Sequence, residues 1–321
     1  MTIPYQARKL NYMLEVRRLR LLREVAARGT LAAAAEALNY TPSAVSQQLT
    51  VLERETGVAL LERAGRRVRL TDAGTRLVEH AEVVLANLER AEADLARGTG
   101  AVRGTVRLGA FPTAARGLVP GAAARLRAAH PDLRVVLHEL EPHESLPAVR
   151  LGELDLAITH RYDLLPRRRE PGVSSSALLD DPMSVALPPG HPAAGAAVRL
   201  SDLRTDRWIA GHPDTSCYAI VLRACALAGY SPEIDYHSND FSVVLALVEA
   251  GLGVALVPDL ALRHLHTTAV LRPVAEAPLS RQLRIAVRRG STERPAVAAA
   301  VDALRVTAAT LHTGEPASQS P

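Results

Sequence analysis

Lysine is almost missing from this chain: Lys9 is the only one, and arginine supplies the other 37 of its 38 basic side chains. With alanine so heavily used, that skew reads as genomic base composition as much as function, and no chemistry is drawn from it. Cysteine is scarce too. Cys217 and Cys225 are the whole complement, which excludes a disulfide framework and a four-thiolate zinc site and points to free, buried thiols. No apolar run approaches the ~20 residues that span a bilayer, and the segment from Met1 to Met13 is polar rather than a charged stub followed by an apolar secretory core. The expectation is a soluble, unexported protein of the cytoplasm, with no membrane partner. The usual catalytic fingerprints are absent as well: there is no G-x-S-x-G, no P-loop and no G-x-G-x-x-G, since Gly251-Leu252-Gly253 lacks the third glycine and enters a strand pattern instead of opening a helix. Eleven histidines show no H-E-x-x-H spacing, and His264 and His266 have no carboxylate or thiol nearby to complete a site. No metal and no cofactor are expected.

What is present suits two or three domains, since 321 residues with 48% apolar and 22% charged side chains exceed one ordinary core and can bury several. Charge is uneven. Residues 1–76 carry 13 cations against 7 anions, residues 77–100 carry 2 against 5, and the remainder is close to balanced. A polyanion has its natural seat at the front.

That front reads as three short helices. After a tail over 1–12, which leaves either Met1 or Met13 as the start, Val16, Leu19, Leu22 and Val25 share a stripe, and Arg28-Gly29-Thr30 stops one helix and caps the next, Leu31 to Leu38. Thr41 followed by Pro42 opens a third helix to about Glu55 as N-cap and first-turn proline. There Val45, Leu49 and Leu52 turn inward, leaving Ser43, Ser46, Gln47 and Thr50 outward, a row of short hydrogen-bonding side chains that suits base edges. Residues 60–70 read as a hairpin with Gly65 at its tip and Arg63, Arg66, Arg67 and Arg69 on both sides, a basic wing beside a helix-turn-helix. From residue 72 to Arg97 runs one long helix, in which Leu77, Ala81, Val84, Leu88, Ala91 and Leu95 keep coiled-coil spacing; a partner helix, hence a homodimer, explains that seam. Gly98-Thr99-Gly100 marks a flexible boundary.

Beyond Gly104 short apolar runs alternate with helical patterns, predicting a mostly parallel sheet with helices on both faces. Strands are expected near Val106, over Leu133–Leu140, Leu154–Thr159, Met183–Leu187, Trp208–Ala210, Val254–Val257 and Gln282–Val287, with helices over Val119–Ala129, from Ser145 and from Pro295. Two lobes around a cleft follow, about 104–162 with 270–310, and about 172–268. The domain scheme is thus a winged helix-turn-helix over 13–71, a dimerisation helix over 72–98, a two-lobed domain over 99–312 and a disordered tail over 313–321.

Gly29-Thr30-Leu31, Ala34-Ala35-Glu36-Ala37-Leu38, Thr41 to Leu49, Leu52-Glu53, Gly57-Val58, Leu60-Leu61-Glu62-Arg63 and Leu70-Thr71-Asp72-Ala73-Gly74 closely resemble the N-terminal region of LysR-type transcriptional regulators. Leu61, where that family usually has phenylalanine, and the longer N-terminal tail are the departures. Gly152 to Ile158, Gly190-His191-Pro192 and Leu247 to Pro258 extend the resemblance, which covers roughly Met13 to Gly290. It implies a winged helix-turn-helix, a dimerisation helix and an α/β two-lobed effector domain similar to type 2 periplasmic binding proteins, assembled as a tetramer.

Roles follow for individual residues. Ser43, Ser46, Gln47 and Thr50 meet base edges in the major groove, where one bidentate glutamine is worth about 1–3 kcal/mol of discrimination; Thr41, Arg63, Arg66, Arg67 and Arg69 hold phosphates, and Pro42, opening the helix, belongs to the same DNA-binding set. In the cleft, Phe111 and Thr113 leave the first strand at a helix start, Thr113 at a position the resemblance makes a common effector contact. His143 and Glu144 begin the second helix, Ser216 and Cys217 follow the Trp208 strand, and Asp240 with Phe241 forms an opposite wall. Thr113 and the helix ends favour an anion, Glu144 and Asp240 a neutral or cationic group. Solvated caps are the competing reading for His143 and Asp240, and packing rather than redox sensing is the reading for Cys217 and Cys225, two helical turns apart. The function expected is a sequence-specific DNA-binding regulator, not an enzyme, that reads two-fold-related half-sites in double-stranded DNA and answers to a small-molecule effector; RNA polymerase is a further partner this reading allows. The alternatives are an effector-blind or architectural DNA binder and, remotely, an enzyme on the two-lobed domain.

Overall fold

The computed structural model describes residues 14–64, 67–97, 102–166, 170–263, 265–276 and 279–312. The chain divides into two compact units, one of Met1–Gly98 with Arg289–Glu293 and one of Thr99–Arg288 with Arg294–Pro321.

The first unit opens with α1 (Val16–Arg28), α2 (Leu31–Ala37) and α3 (Pro42–Thr56). Their ends obey the sequence signals: Gly29 and Gly57 take left-handed backbone at the stops, and the Thr30 and Thr41 hydroxyls accept from the N–H of Ala33 and Ala44 at 3.2 Å. Leu21, Leu22, Val25, Ala34, Val45, Leu49 and Leu52 form the shared core. A two-stranded antiparallel wing, β1 (Leu61–Ala64) and β2 (Arg67–Leu70), is tied to α3 because Glu53 Oε1 accepts from the N–H of both Leu60 and Leu61, at 2.8 and 3.1 Å. Then α4 (Asp72–Arg97) starts under the Thr71 hydroxyl, which accepts from Gly74 N–H at 3.0 Å. Gly74 is required there: a Cβ would sit 2.1 Å from the Leu60 carbonyl oxygen.

The second unit follows the order β3 (Gly104–Ala110), α5 (Pro112–Gly117), α6 (Val119–Ala129), β4 (Leu133–Glu139), α7 (Pro142–Leu151), β5 (Leu156–Tyr162), β6 (Val173–Leu187), β7 (Arg207–Ala210), α8 (Ser216–Leu227), β8 (Glu233–His237), α9 (Phe241–Glu249), β9 (Ala255–Pro258), α10 (Asp259–Leu262), β10 (Val270–Pro273), β11 (Leu279–Arg288) and α11 (Pro295–His312). The main sheet runs β10-β6-β11-β5-β3-β4, with β9 also on β6, and β7 pairs β8 separately. Two lobes are evident in the cores. One gathers Val106, Leu108, Leu156, Ile158, Leu283 and Ile285 under α6 and α11; the other gathers Val185, Leu187, Trp208, Ile220, Val221 and Leu256 under α8.

Three sequence expectations change. The main sheet is mixed rather than mostly parallel, because only β3 pairs in parallel, with β4 and β5, whereas β11 lies antiparallel to β5 and β6, and β6 to β9 and β10. The 15-residue β6 does not simply open the second lobe: Leu179 belongs to the first core and Met183 to the second, so it passes through both, and β11 returns beside it in the opposite sense. The helix expected from Ser145 begins at Pro142, since Glu141 and Glu144 close a reciprocal capping box around that proline start. Strands β8 and β10 were not anticipated.

Candidate functional site

On α3 the inward and outward faces separate as the spacing requires. Val45, Leu49 and Leu52 are buried, while Thr41, Pro42, Ser43, Ser46, Gln47 and Thr50 are exposed. The outward groups differ in how they are engaged. Thr41 Oγ1 caps the helix and lies 3.0 Å from Ser43 Oγ, and the Thr50 hydroxyl donates back to the Ser46 carbonyl at 3.0 Å. Among the described residues the Ser46 and Gln47 side chains hold no hydrogen bond, so their donors and acceptors are the ones fully available to a ligand. Arg63 and Arg67 lie on the two wing strands, and the exposed Arg69 sits opposite Glu62, with a loose 3.7 Å contact. Arg66 and the hairpin tip fall outside the described residues.

Along α4 the expected seam splits. Ala81 is fully buried within the chain and Leu77 packs on the helical core, whereas Val84, Leu88, Ala91 and Leu95 remain exposed, Leu95 at 78%. The first two positions serve their own protomer; the last four form an uncovered apolar stripe.

In the second unit, sheet register makes a site that spacing alone does not show. Arg281 on β11 stands directly opposite Tyr162 on β5 and Asp181 on β6, at the level where all three strands pass from one lobe to the other. Arg281 has no exposed surface. Its Nε donates to Asp181 Oδ2 at 2.7 Å and its Nη2 to Thr113 Oγ1 at 3.1 Å, but Nη1, among the described residues, has no partner. A buried donor left open costs about 1–3 kcal/mol, which a protein tolerates where a ligand completes it. Asp181 is fully engaged, its other oxygen accepting from Leu260 N–H at 2.8 Å. Despite burial, the neighbouring Asp181 carboxylate holds the Arg281 pKa above its ordinary value, so the guanidinium stays charged.

Around this guanidinium the lobes meet. The Phe111 ring lies 5.1 Å from Arg281 Cζ and edge-on to His160, 4.6 Å between centroids. His160 Nε2 is 2.8 Å from Ser216 Oγ, Tyr162 Oη is 3.3 Å from Cys217 Sγ, and His143 faces Asp214 at 3.7 Å; each pair joins the first lobe or its exit strand to the start of α8. Burial, reinforced by the Arg281 charge, drives the His160 pKa well below the usual imidazole range, so the ring is neutral. Burial also raises Tyr162 and Cys217, and pushes Cys225, deeper in α8, up to about 11. Beside this row a cavity of about 20 Å³ is lined in part by Tyr162, Gly211, Cys217, Asn239 and Phe241. Gly211 keeps it open to close approach, since a Cβ would come within 2.9 Å of Cys217 Cβ and of Asn239 Oδ1.

Of the eight cleft residues expected from sequence, Phe111, Thr113, Ser216 and Cys217 gather here, His143 bridges at the edge, and Phe241 lines the adjoining cavity. Glu144 and Asp240 are helix caps: Glu144 Oε2 accepts from Glu141 N–H at 3.1 Å, and Asp240 Oδ1 from Ser242 N–H at 2.8 Å and its hydroxyl at 2.7 Å. Those bonds to Ser242 hold the Asp240 carboxyl below the usual range. His160, Tyr162, Asp181 and Arg281 were missed, because a lone polar residue inside a strand pattern carries no local signature.

Comparison with known proteins gives a consistent frame. Residues 16–75 match the family model described as bacterial regulatory helix-turn-helix protein, lysR family, and residues 99–309 match the LysR substrate binding domain. A probable hydrogen peroxide-inducible genes activator of Mycobacterium avium is 32% identical over 255 residues, covering 78% of this chain and 79% of that protein. The transcriptional dual regulator GltC of Bacillus subtilis is 29% identical over 248 residues, covering 77% and 81%. Among solved structures, a full-length OxyR variant of Pseudomonas aeruginosa aligns with a TM-score of 0.65 at 25% identity, over 92% of this chain and 95% of that one.

Proposed function

This chain belongs to the LysR family of DNA-binding transcriptional regulators, and from that premise we propose that its exposed α3 face reads the operator while the row at Arg281 receives the effector. The observation that carries the reading is the contrast in what is left open. Among the described residues, Ser46 and Gln47 on α3 present hydrogen-bonding groups with no bond beside a basic wing, and between the lobes a fully buried guanidinium has one nitrogen with no hydrogen bond.

Ser43, Ser46, Gln47 and Thr50 contact base edges, and Thr41, Pro42 and the wing arginines set the helix against the phosphates. Val84, Leu88, Ala91 and Leu95 pack against a second copy, so that two α3 helices face two half-sites; family members of this architecture assemble further into tetramers. An effector lodged between the lobes changes how far they close on Arg281, and with it the geometry offered to DNA. The domain scheme is 13–71 for reading, 72–98 for pairing and 99–312 for sensing.

The Mycobacterium avium relative is named for hydrogen peroxide, and a thiol sensor needs a thiolate. Here Cys217 has a raised pKa and lies against a phenol, and Cys225 is pushed up to about 11. The cleft is therefore read as a ligand site, with both cysteines in packing roles. The relatives are transcriptional regulators, which favours a DNA-binding protein without catalytic turnover, and among the described residues no helix is long and apolar enough to cross a membrane.

The test is an anisotropy titration, at several salt concentrations, on the intergenic DNA beside the protein's own gene with random DNA as competitor. A two-fold-related site that survives competition is expected. Equal, steeply salt-dependent affinity for both DNAs contradicts sequence reading and leaves the architectural binder.

A further inference from the structure

A larger cavity lies elsewhere in the second unit, and it shares no residue with the Arg281 row or with the small cavity beside that row. Its volume is about 150 Å³, against about 20 Å³ for the other. Helix α8 lends a different face to each. Cys217 and Val221 line the small cavity, whereas Ile220, Ala224 and Leu227, at helical spacing, form a stripe along the larger one. Leu200, Val274 and Leu279 complete its floor; with Ile220 and Ala224 they are buried members of the second lobe's core. The mouth is at Asp163, Leu227 and Glu276, all exposed.

Volume and polarity together specify an occupant. Engineered apolar cavities of about 150 Å³ take up benzene, so one ring or a branched alkyl group fills this floor. The polar side chains around it are all left as acceptors. Asp163 holds no hydrogen bond or ion pair among the described residues. Glu276 spends Oε1 on Leu200 N–H at 2.9 Å, with Oε2 open among the described residues, and Ser280 Oγ donates to the Asp181 carbonyl at 3.3 Å and keeps its lone pairs. Among the described residues no lysine, arginine or histidine lines the cavity. An anion would face two carboxylates with no side-chain donor to hold it, while a hydrocarbon would fill the floor and leave both carboxylates to water. An ammonium brings the donors that are lacking. We propose that this cavity is a ligand site apart from the inter-lobe row, and that it takes a small organic cation, an arylalkyl or branched-alkyl ammonium with its apolar end on Ile220, Ala224 and Leu279 and its N–H groups on Asp163 and Glu276. Asp163 directly follows Tyr162 and Ser280 directly precedes Arg281, residues paired across β5 and β11, so the ligand touches both chain segments where they pass between the lobes.

Benzylammonium and benzyl alcohol share an outline and differ in charge, and both are titrated into the full-length protein by isothermal titration calorimetry at constant ionic strength. One benzylammonium per chain is expected, with a Kd on the order of millimolar for so few heavy atoms, and about fivefold tighter than the alcohol, as exposed ion pairs allow. The joint variant Asp163→Asn with Glu276→Gln, which keeps an acceptor for Leu200 N–H, should erase the difference between the two probes. Ala224→Leu, which fills the cavity and leaves its charge alone, should abolish binding of both. Where that change in the core lowers the thermal transition, Leu227→Trp closes the cavity from its exposed mouth and should give the same loss. No binding of benzylammonium at millimolar concentration, equal binding of the alcohol, or ammonium binding that survives both cavity-closing variants overturns the proposal.

Discussion

The α3 face and the Arg281 row solve opposite problems. On α3 the side chains proposed to read DNA are exposed, Ser46 and Gln47 hold no hydrogen bond among the described residues, and a separate core of Val45, Leu49 and Leu52 holds the helix in place. At the Arg281 row the groups proposed to receive the effector are also structural, buried and tied to one another across three strands. A surface reader can change its specificity residue by residue without risking the fold. A buried sensor cannot, because each group that meets the ligand also satisfies a neighbour.

The largest expected effect lies in the buried row. Asp181→Ala leaves the Arg281 charge unpaired and should cost about 3–5 kcal/mol, seen as a lowered thermal transition of the second unit, while the joint Asp181→Asn and Arg281→Gln variant recovers most of it. If Asp181→Ala is harmless, the row is not the rigid element described. Next comes Ser46→Asp, which places an anion on the exposed face. Operator affinity should fall more than tenfold, about 1.4 kcal/mol or more, with the melting temperature unchanged; a parallel drop in stability would erase the contrast between the two regions. Thr41→Ala removes the α3 cap and should cost roughly 1 kcal/mol of stability in the first unit, making Thr41 the one outward residue whose loss is felt in the fold. Smallest is the response of the cysteines. With both thiols raised by burial, and Cys225 at about 11, iodoacetamide at pH 8 should modify them more than tenfold more slowly than a free thiol, and peroxide should leave DNA binding unchanged. Rapid modification of Cys217 would turn the row from a ligand seat into a thiol site.

The two regions also differ in how legible they were. Helices α1 and α3 announce themselves through apolar stripes of helical spacing, α2 through its Thr30 cap and α4 through coiled-coil spacing, and Thr41-Pro42 and Gly57 mark boundaries that the backbone then obeys. The outward set on α3 follows from the inward one by geometry alone. In the second unit, residues at the ends of elements, Thr113, Ser216 and Cys217, were found because strand-to-helix junctions are visible in sequence. Asp181 and Arg281 lie a hundred residues apart in strand interiors, and nothing local brings them together; only the register of β6 on β11 does. The mixed sheet was misread for a related reason, since an alternating strand and helix pattern carries no signal that β6 and β11 would each run through both lobes. Glu144 and Asp240 show the reverse error, where a charge that drew attention as a ligand group is accounted for by the first turn of its own helix.

That α3 reads sequence through groups left free for the purpose is tested most directly by Gln47→Ala, with affinity measured for the protected operator and for random DNA at the same salt concentration. A preserved affinity for random DNA with a roughly tenfold or greater loss of preference for the operator, within the about 1–3 kcal/mol carried by one bidentate base contact, is the predicted result. Equal losses on both DNAs, or none on either, would contradict it and place sequence selection elsewhere in the chain.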